Sequence, residues 1–295
     1  MANLKEIRTR ITSVNSTMQI TSAMKMVSAA KLKRAQNAIT RMRPFAQKQH
    51  ELLGHLTGAM AEMENKFVVK REVKNVLLIC VTSNRGLCGA FNANITKEAT
   101  KMIRKEFSDV NVQVLPVGKK AYDFFRKAKK LVAGDHLPNP VKTGDIFGDL
   151  NFNSAGEMFK PVMDAFWNEE FDAVYVIYNQ FKNAASQYVT VEKLLPIEPE
   201  AEENGSGHNV DYLFQPDKLG LLEYLIPVAL KTSFYKALLD SHASEHGARM
   251  TAMHKATDNA SDLLADLKLT YNKARQAAIT TEILEIVGGA EALEG

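Results

Sequence analysis

Two heptad patterns, one at each end of the chain, constrain its fold more than any other feature. Leu4, Ile7, Ile11, Val14 and Met18 are spaced three, four, three and four residues apart, and Leu32, Ala35, Ile39 and Met42 resume the same register. Met250, Met253, Thr257, Ala260, Leu264, Leu267, Tyr271, Ala274 and Ala278 keep that alternation without a break. An apolar period of about 3.5 residues is the seam of a coiled coil. Two such segments at opposite ends of one chain pair most simply with each other, antiparallel, with a body between them. The expectation is an N-terminal coiled-coil helix over 1–60 and a C-terminal one over 212–288. The second should begin just after Pro216 and kink or break near Pro227.

The middle of the first run departs from the pattern. Its register positions are Thr21, Lys25 and Ser28, which are poor seam residues. Ile20, Ala23, Met24, Met26, Val27, Ala29 and Ala30 place apolar side chains on the other faces. A helix apolar all round is usually buried all round, so Met18 to Ala30 should be enclosed by something besides its mate. Residues 1–50 also hold ten Lys or Arg against one acid, Glu6, a net +9 that leaves −6 for the other 245 residues. Such a segment seeks an acidic partner. Nucleic acid fits it poorly, because no aromatic side chains are interleaved to stack on bases.

Between the ends, strand-like and helix-like segments alternate over 70–197. "VKNVLLICVTS" (73–83), "VNVQVLPVG" (110–118), "FDAVYVIYNQF" (171–181) and "SQYVTVEKLLPI" (186–197) read as strands, with "KLVAG" as a short additional one. Residues 92–107, "KKAYDFFRKA" and 154–169 read as helices. Alternation of this kind means an α/β layer with a mostly parallel sheet. Residues 198–211 are acidic and poor in apolar side chains, the composition of a surface loop.

The stretch "VTSNRGLCGAFN" (81–92) lies between a strand and a helix, where many proteins hold phosphate. Its glycines, Gly86 and Gly89, supply neither G-x-G-x-x-G nor a P-loop with Lys-Ser or Lys-Thr. The expected role of the two glycines is a sharp turn where a Cβ would clash. Cys88 has Arg85 nearby but no histidine close in sequence, which argues against a catalytic thiolate. Cys80 and Cys88 are the only cysteines, one in a buried strand and one in a loop, the pattern of a reducing compartment. His242 and His246 have a helical metal-ligating spacing, but H-E-x-x-H is absent, and two polar positions on an exposed face are the simpler expectation. No catalytic residue, cofactor or metal site is expected. No apolar run approaches the roughly 20 residues that span a bilayer.

Three stretches carry a family resemblance: "RITSVNSTMQITSAMKMVSAAKLKRAQ" (10–36), "TSNRGLCGAFN" (82–92) and residues 248–293. They closely resemble the gamma subunit of F-type ATP synthases, and the likeness runs over nearly the whole chain, "DYLFQP" (211–216) included. The resemblance implies a rotor shaft without catalytic residues. Its terminal helices would form an antiparallel coiled coil inside a hexamer of alpha and beta subunits. Its central domain, Rossmann-like but without nucleotide, would meet the epsilon subunit and the membrane c-ring. Proton flow would turn this assembly and drive ATP synthesis at the beta sites. By the same resemblance, Met24, Lys25, Arg249, Arg275, Gln276 and Thr280 would contact beta. The location implied is the cytoplasmic face of a bacterial inner membrane, as a peripheral protein. Asn84 and Ala90 depart from the family's usual Asp and Gly in the loop. His254 stands where Lys is common, and Gly247 is unusual inside a helix.

Overall fold

A computed structural model describes residues 4–55, 66–69, 71–132, 134, 136–197 and 218–294. The acidic segment 198–211 lies outside them. The chain divides into two units, residues 1–28 with 250–295 and residues 29–249. The terminal helices α1 (Leu4–His55) and α5 (Lys218–Glu294) contribute to both.

The larger unit is built on a four-stranded sheet of β1 (Asn75–Val81), β2 (Asn111–Val117), β3 (Ala173–Phe181) and β4 (Gln187–Leu195). The strand order is β2-β1-β3-β4. The first three are parallel, and β4 runs antiparallel to β3 at the edge. The central strand β1, NVLLICV, is apolar on both sides because both faces of the sheet are covered. The edge strand β4 is mostly half-buried, with Tyr188 and Val191 exposed and only Leu194 and Leu195 fully buried. The expected extra strand at "KLVAG" reduces to one bridge between Leu131 and Val114.

One face of the sheet (Leu77, Ile79, Val81, Val174, Val176, Tyr178) packs on α4 (Phe152–Trp167) and on Leu222, Ile226, Leu230 and Phe234 of α5. The other face (Val76, Leu78, Cys80, Val114, Ile177) packs on α2 (Phe91–Lys101) and α3 (Lys119–Lys127) through Ile95, Ala99, Ala121 and Phe125. After α2 the chain makes a π-helical turn, Met102–Glu106, in which the Phe107 amide donates to the Met102 carbonyl at 3.0 Å.

Prolines 44, 161 and 227 all lie inside helices. Of the kink or break expected near Pro227, no break occurs: α5 is helical throughout 218–294. A proline frees the carbonyl four residues earlier. Here those carbonyls belong to Thr40, Glu157 and Glu223, all exposed, so water can replace the missing N–H.

In the smaller unit, Ile7, Thr21, Ser28, Met253, Ala260 and Leu264 are buried along the seam. The seam therefore continues through Thr21 and Ser28, contrary to the reading that these positions interrupt it. Their hydroxyls are satisfied locally: Thr21 donates to the Met18 carbonyl at 3.0 Å and Ser28 to that of Met24 at 2.8 Å. Thr21 also accepts from the Thr257 hydroxyl at 2.9 Å. With Thr21 facing Thr257, an antiparallel mate described from Leu4 reaches only to about Ala274. Ala278, which the spacing placed in the seam, is exposed, as is every residue from 275 to 290.

Candidate functional site

The glycine loop connects β1 to α2 and is tied down by its own polar groups. The Ser83 amide donates to Asn92 Oδ1 at 2.9 Å, and the Ser83 hydroxyl donates to the Arg85 carbonyl at 2.6 Å. Asn92 Nδ2 donates to Ser83 Oγ at 2.8 Å and to Cys88 Sγ at 3.1 Å. Leu87 and Gly89 take positive φ, 63° and 59°. Gly89 thus serves backbone conformation, since a Cβ there would meet nothing within 4 Å. Gly86 needs neither explanation. The close approaches are elsewhere: a Cβ on Gly118 or Gly144 would overlap Thr82 O or Asn84 Oδ1.

The same loop caps the N-terminus of α3. The amides of Lys119, Lys120 and Ala121 donate to Asn84 Oδ1 at 3.1 Å, Ser83 O at 3.2 Å and Thr82 Oγ1 at 2.9 Å. Three of the orphan donors that make a helix start attractive to phosphate have partners inside the chain. Asn84 also donates through Nδ2 to the Gly144 carbonyl at 2.7 Å. An aspartate could accept from Lys119 but has nothing to donate, so the departure to Asn84 is explained by its second bond.

Arg249 joins this loop to α5. Its Nη2 donates to the Arg85 carbonyl at 3.0 Å and its Nε to that of Gly86 at 3.4 Å. Its Nη1 pairs with Glu245 at 2.6 Å, with the two side chains only 9% and 11% exposed. Burial holds the Glu245 carboxyl above its usual range, while Arg249 pulls it the other way. Nearby, Gly247 lets α5 approach the β3–β4 turn, where a Cβ would stand 3.2 Å from the Ala184 carbonyl oxygen. That close approach accounts for a glycine inside a helix.

One turn earlier lie His242 and His246. They are not on an exposed face, as their spacing suggested: His246 is buried and His242 stacks on Phe147 at 5.8 Å with an interplanar angle of 11°. Arg249 Nη1 lies 3.5 Å from His246 Nδ1 and can only donate, so that nitrogen accepts. His246 then carries its hydrogen on Nε2, which donates to His242 Nε2 at 3.1 Å. Both rings are neutral in this chain of bonds. Burial first, with Lys31 and Arg249 adding, lowers the His242 pKa to about 4. Burial, then His242, Arg249 and Lys31, lowers that of His246 to about 3. Among the described residues no group of three or more His, Cys, Asp and Glu is placed to hold a metal.

The six residues singled out from the sequence do not form one site. Met24 and Lys25 are half-buried on α1, and Arg275, Gln276 and Thr280 are exposed on α5, with the Thr280 hydroxyl donating to the Gln276 carbonyl at 2.9 Å. Arg249 differs from the other five: its guanidinium is engaged inside the larger unit. Its spacing in the C-terminal pattern could not reveal this, because the two carbonyls it holds lie more than 160 residues away. In the smaller unit, Ile20, Met26 and Val27 are 60%, 64% and 58% exposed.

Residues 3–293 match the family described as ATP synthase. The ATP synthase gamma chain of Christiangramia forsetii is 52% identical, and that of Flavobacterium johnsoniae 55% identical, each over 100% of both chains. The chain belongs to the ATP synthase gamma-chain family. Among solved structures, it is similar to a chain in the central stalk and c-ring of the Tetrahymena thermophila mitochondrial ATP synthase. That match has a TM-score of 0.56 and 26% identity, covering 80% of this chain and 99% of the other. A chain in the Euglena gracilis mitochondrial ATP synthase shares the fold at a TM-score of 0.66 and 21% identity, covering 98% of this chain and 94% of that one. In this chain the glycine loop is a structural joint, capping one helix and receiving the clamp of another.

Proposed function

We propose that this chain is the central-stalk gamma subunit of a proton-translocating F-type ATP synthase. It turns within a hexamer of alpha and beta subunits, together with epsilon and the membrane c-ring, and carries no catalytic residue itself. The observation that carries this reading is the apolar surface of the terminal helices. Ile20, Met26 and Val27 on α1 and, beyond the paired stretch, Ile279, Ile283, Leu284, Ile286 and Val287 on α5 are all exposed. Fully covering such a side chain gains about 1.5–3 kcal/mol. Apolar contact is not directional, so a surrounding partner can cover these side chains at many angles without specific bonds to break. That is what a shaft inside a bearing requires.

Met24, Lys25, Arg275, Gln276 and Thr280 are the positions on these helices that meet beta in this reading. Arg249 acts from within the body, by holding α5 to the glycine loop. No described helix is long and apolar enough to cross a membrane, and the subunit belongs to the membrane-associated assembly through its partners, on the cytoplasmic face of a bacterial inner membrane. Mixing the purified chain with alpha and beta subunits should yield a stable complex that hydrolyses ATP, while the chain alone hydrolyses none. Failure to associate, or hydrolysis by the chain alone, would overturn the proposal.

A further inference from the structure

The face of the sheet opposite α4 and α5 carries a basic cleft. Lys97 and Lys101 on α2, Arg104 and Lys105 on the π-helical turn, and Phe124 on α3 line a cavity of about 400 Å³ together with Thr96 and Thr100. Phe124 is 45% exposed, its ring set edge-on against Phe125 with centroids 5.0 Å apart. Lys101 is paired with Glu98 at 2.7 Å. Among the described residues no ion pair joins Lys97, Arg104 or Lys105. The π-helical turn sits at the cleft itself, and such turns concentrate at functional sites.

The geometry points to a docking surface for an acidic segment of a partner polypeptide that seats one apolar side chain on Phe124. Three features select that occupant. The lining combines four cationic side chains with two threonines and an aromatic ring, which suits a chain mixing apolar and acidic residues. The cations sit at i, i+4, i+7 and i+8 along roughly 12 Å of helix, the span of several acidic side chains rather than one phosphate. No backbone amide is free to cradle a phosphate, because the lining lies in the middle of helices, and Thr96 and Thr100 donate to the carbonyls of Ala93 and Thr96 at 3.1 and 2.7 Å.

The test uses the assembled complex in membrane vesicles. Phe124 is replaced by the photo-crosslinking analogue p-benzoylphenylalanine, the vesicles are irradiated, and adducts are mapped by mass spectrometry. The expected result is an adduct within an acidic segment of a second polypeptide. Its yield should fall at least tenfold in the Lys97→Glu/Arg104→Glu background, and likewise in about 1 M salt, where the screening length is near 3 Å. Complex assembly is checked on a native gel in each case, so that a folding failure is recognised and the milder Lys97→Gln/Arg104→Gln pair is used instead. An adduct to lipid, an adduct in a segment without acids, a yield insensitive to charge reversal, or no adduct would each overturn the proposal.

Discussion

Replacing Arg249 with methionine tests how firmly the glycine loop is held to α5. Methionine keeps most of the volume and removes all five donors. The carbonyls of Arg85 and Gly86 lie at a partly exposed loop and can turn to water, so their loss is small. Glu245 cannot, because its side chain is 11% exposed and its partner is gone. Removing one member of a buried pair costs about 3–5 kcal/mol, a large share of a typical stability of about 5–15 kcal/mol. Protonation of Glu245 limits the cost. Burial already raises its pKa, and without Arg249 it rises further, so the variant's deficit should be largest at pH 8 and shrink as pH falls towards 5. The Glu245→Gln/Arg249→Met double variant leaves no buried charge and should cost about 1–2 kcal/mol, less than the single change. Urea unfolding of the purified chain, followed by the fluorescence of its one tryptophan, Trp167 on α4, measures all three. A single variant within about 0.5 kcal/mol of wild type, or a double variant no better than the single, would refute the clamp.

Further outcomes follow from neighbouring residues. Asp240 has its pKa raised to about 6, chiefly by burial, so its contribution favours folding below about pH 4 and is lost as pH rises through 6. Asp240→Asn should therefore gain on wild type at pH 8 relative to pH 4, and a difference independent of pH would reject that assignment. His242 and His246 act in the opposite direction. With folded pKa values of about 4 and about 3, the stability they contribute is present above pH 6.5 and lost as pH falls through 4, and His242→Gln/His246→Gln should flatten that decline in acid unfolding curves. Gly118→Ala combines a φ of 110° with a Cβ overlapping Thr82 O; a loss above about 2 kcal/mol in urea unfolding is expected.

The architecture was legible where periodicity or burial imposes a pattern. The heptads of α1 and α5 and the continuous apolar run of β1 are local consequences of what those faces pack against. The seam positions Thr21 and Ser28 were misread because residue type was taken for burial. Small hydroxyl side chains bury well when the helix's own carbonyls accept from them. Whether Pro227 divides a helix depends on whether water reaches the carbonyl of Glu223, which the sequence does not state. The clamp was not legible at all. Arg249 and His242 look like surface positions on a helix, and only tertiary packing brings Arg85, Gly86 and Phe147 to them. Asn84 was visible as a departure, but its reason needed Gly144 and Lys119, which are remote in sequence.

The central claim is that this chain is a shaft that turns, and rotation is the measurement that meets it directly. Cys80 and Cys88 are both buried, so a cysteine introduced at the exposed Lys127 offers a selective attachment point for a gold bead. With the chain assembled with immobilised alpha and beta subunits, ATP should drive the bead in one direction, in steps that divide the turn among the three beta sites. A bead that only fluctuates about a fixed angle while the same complexes hydrolyse ATP would contradict the account.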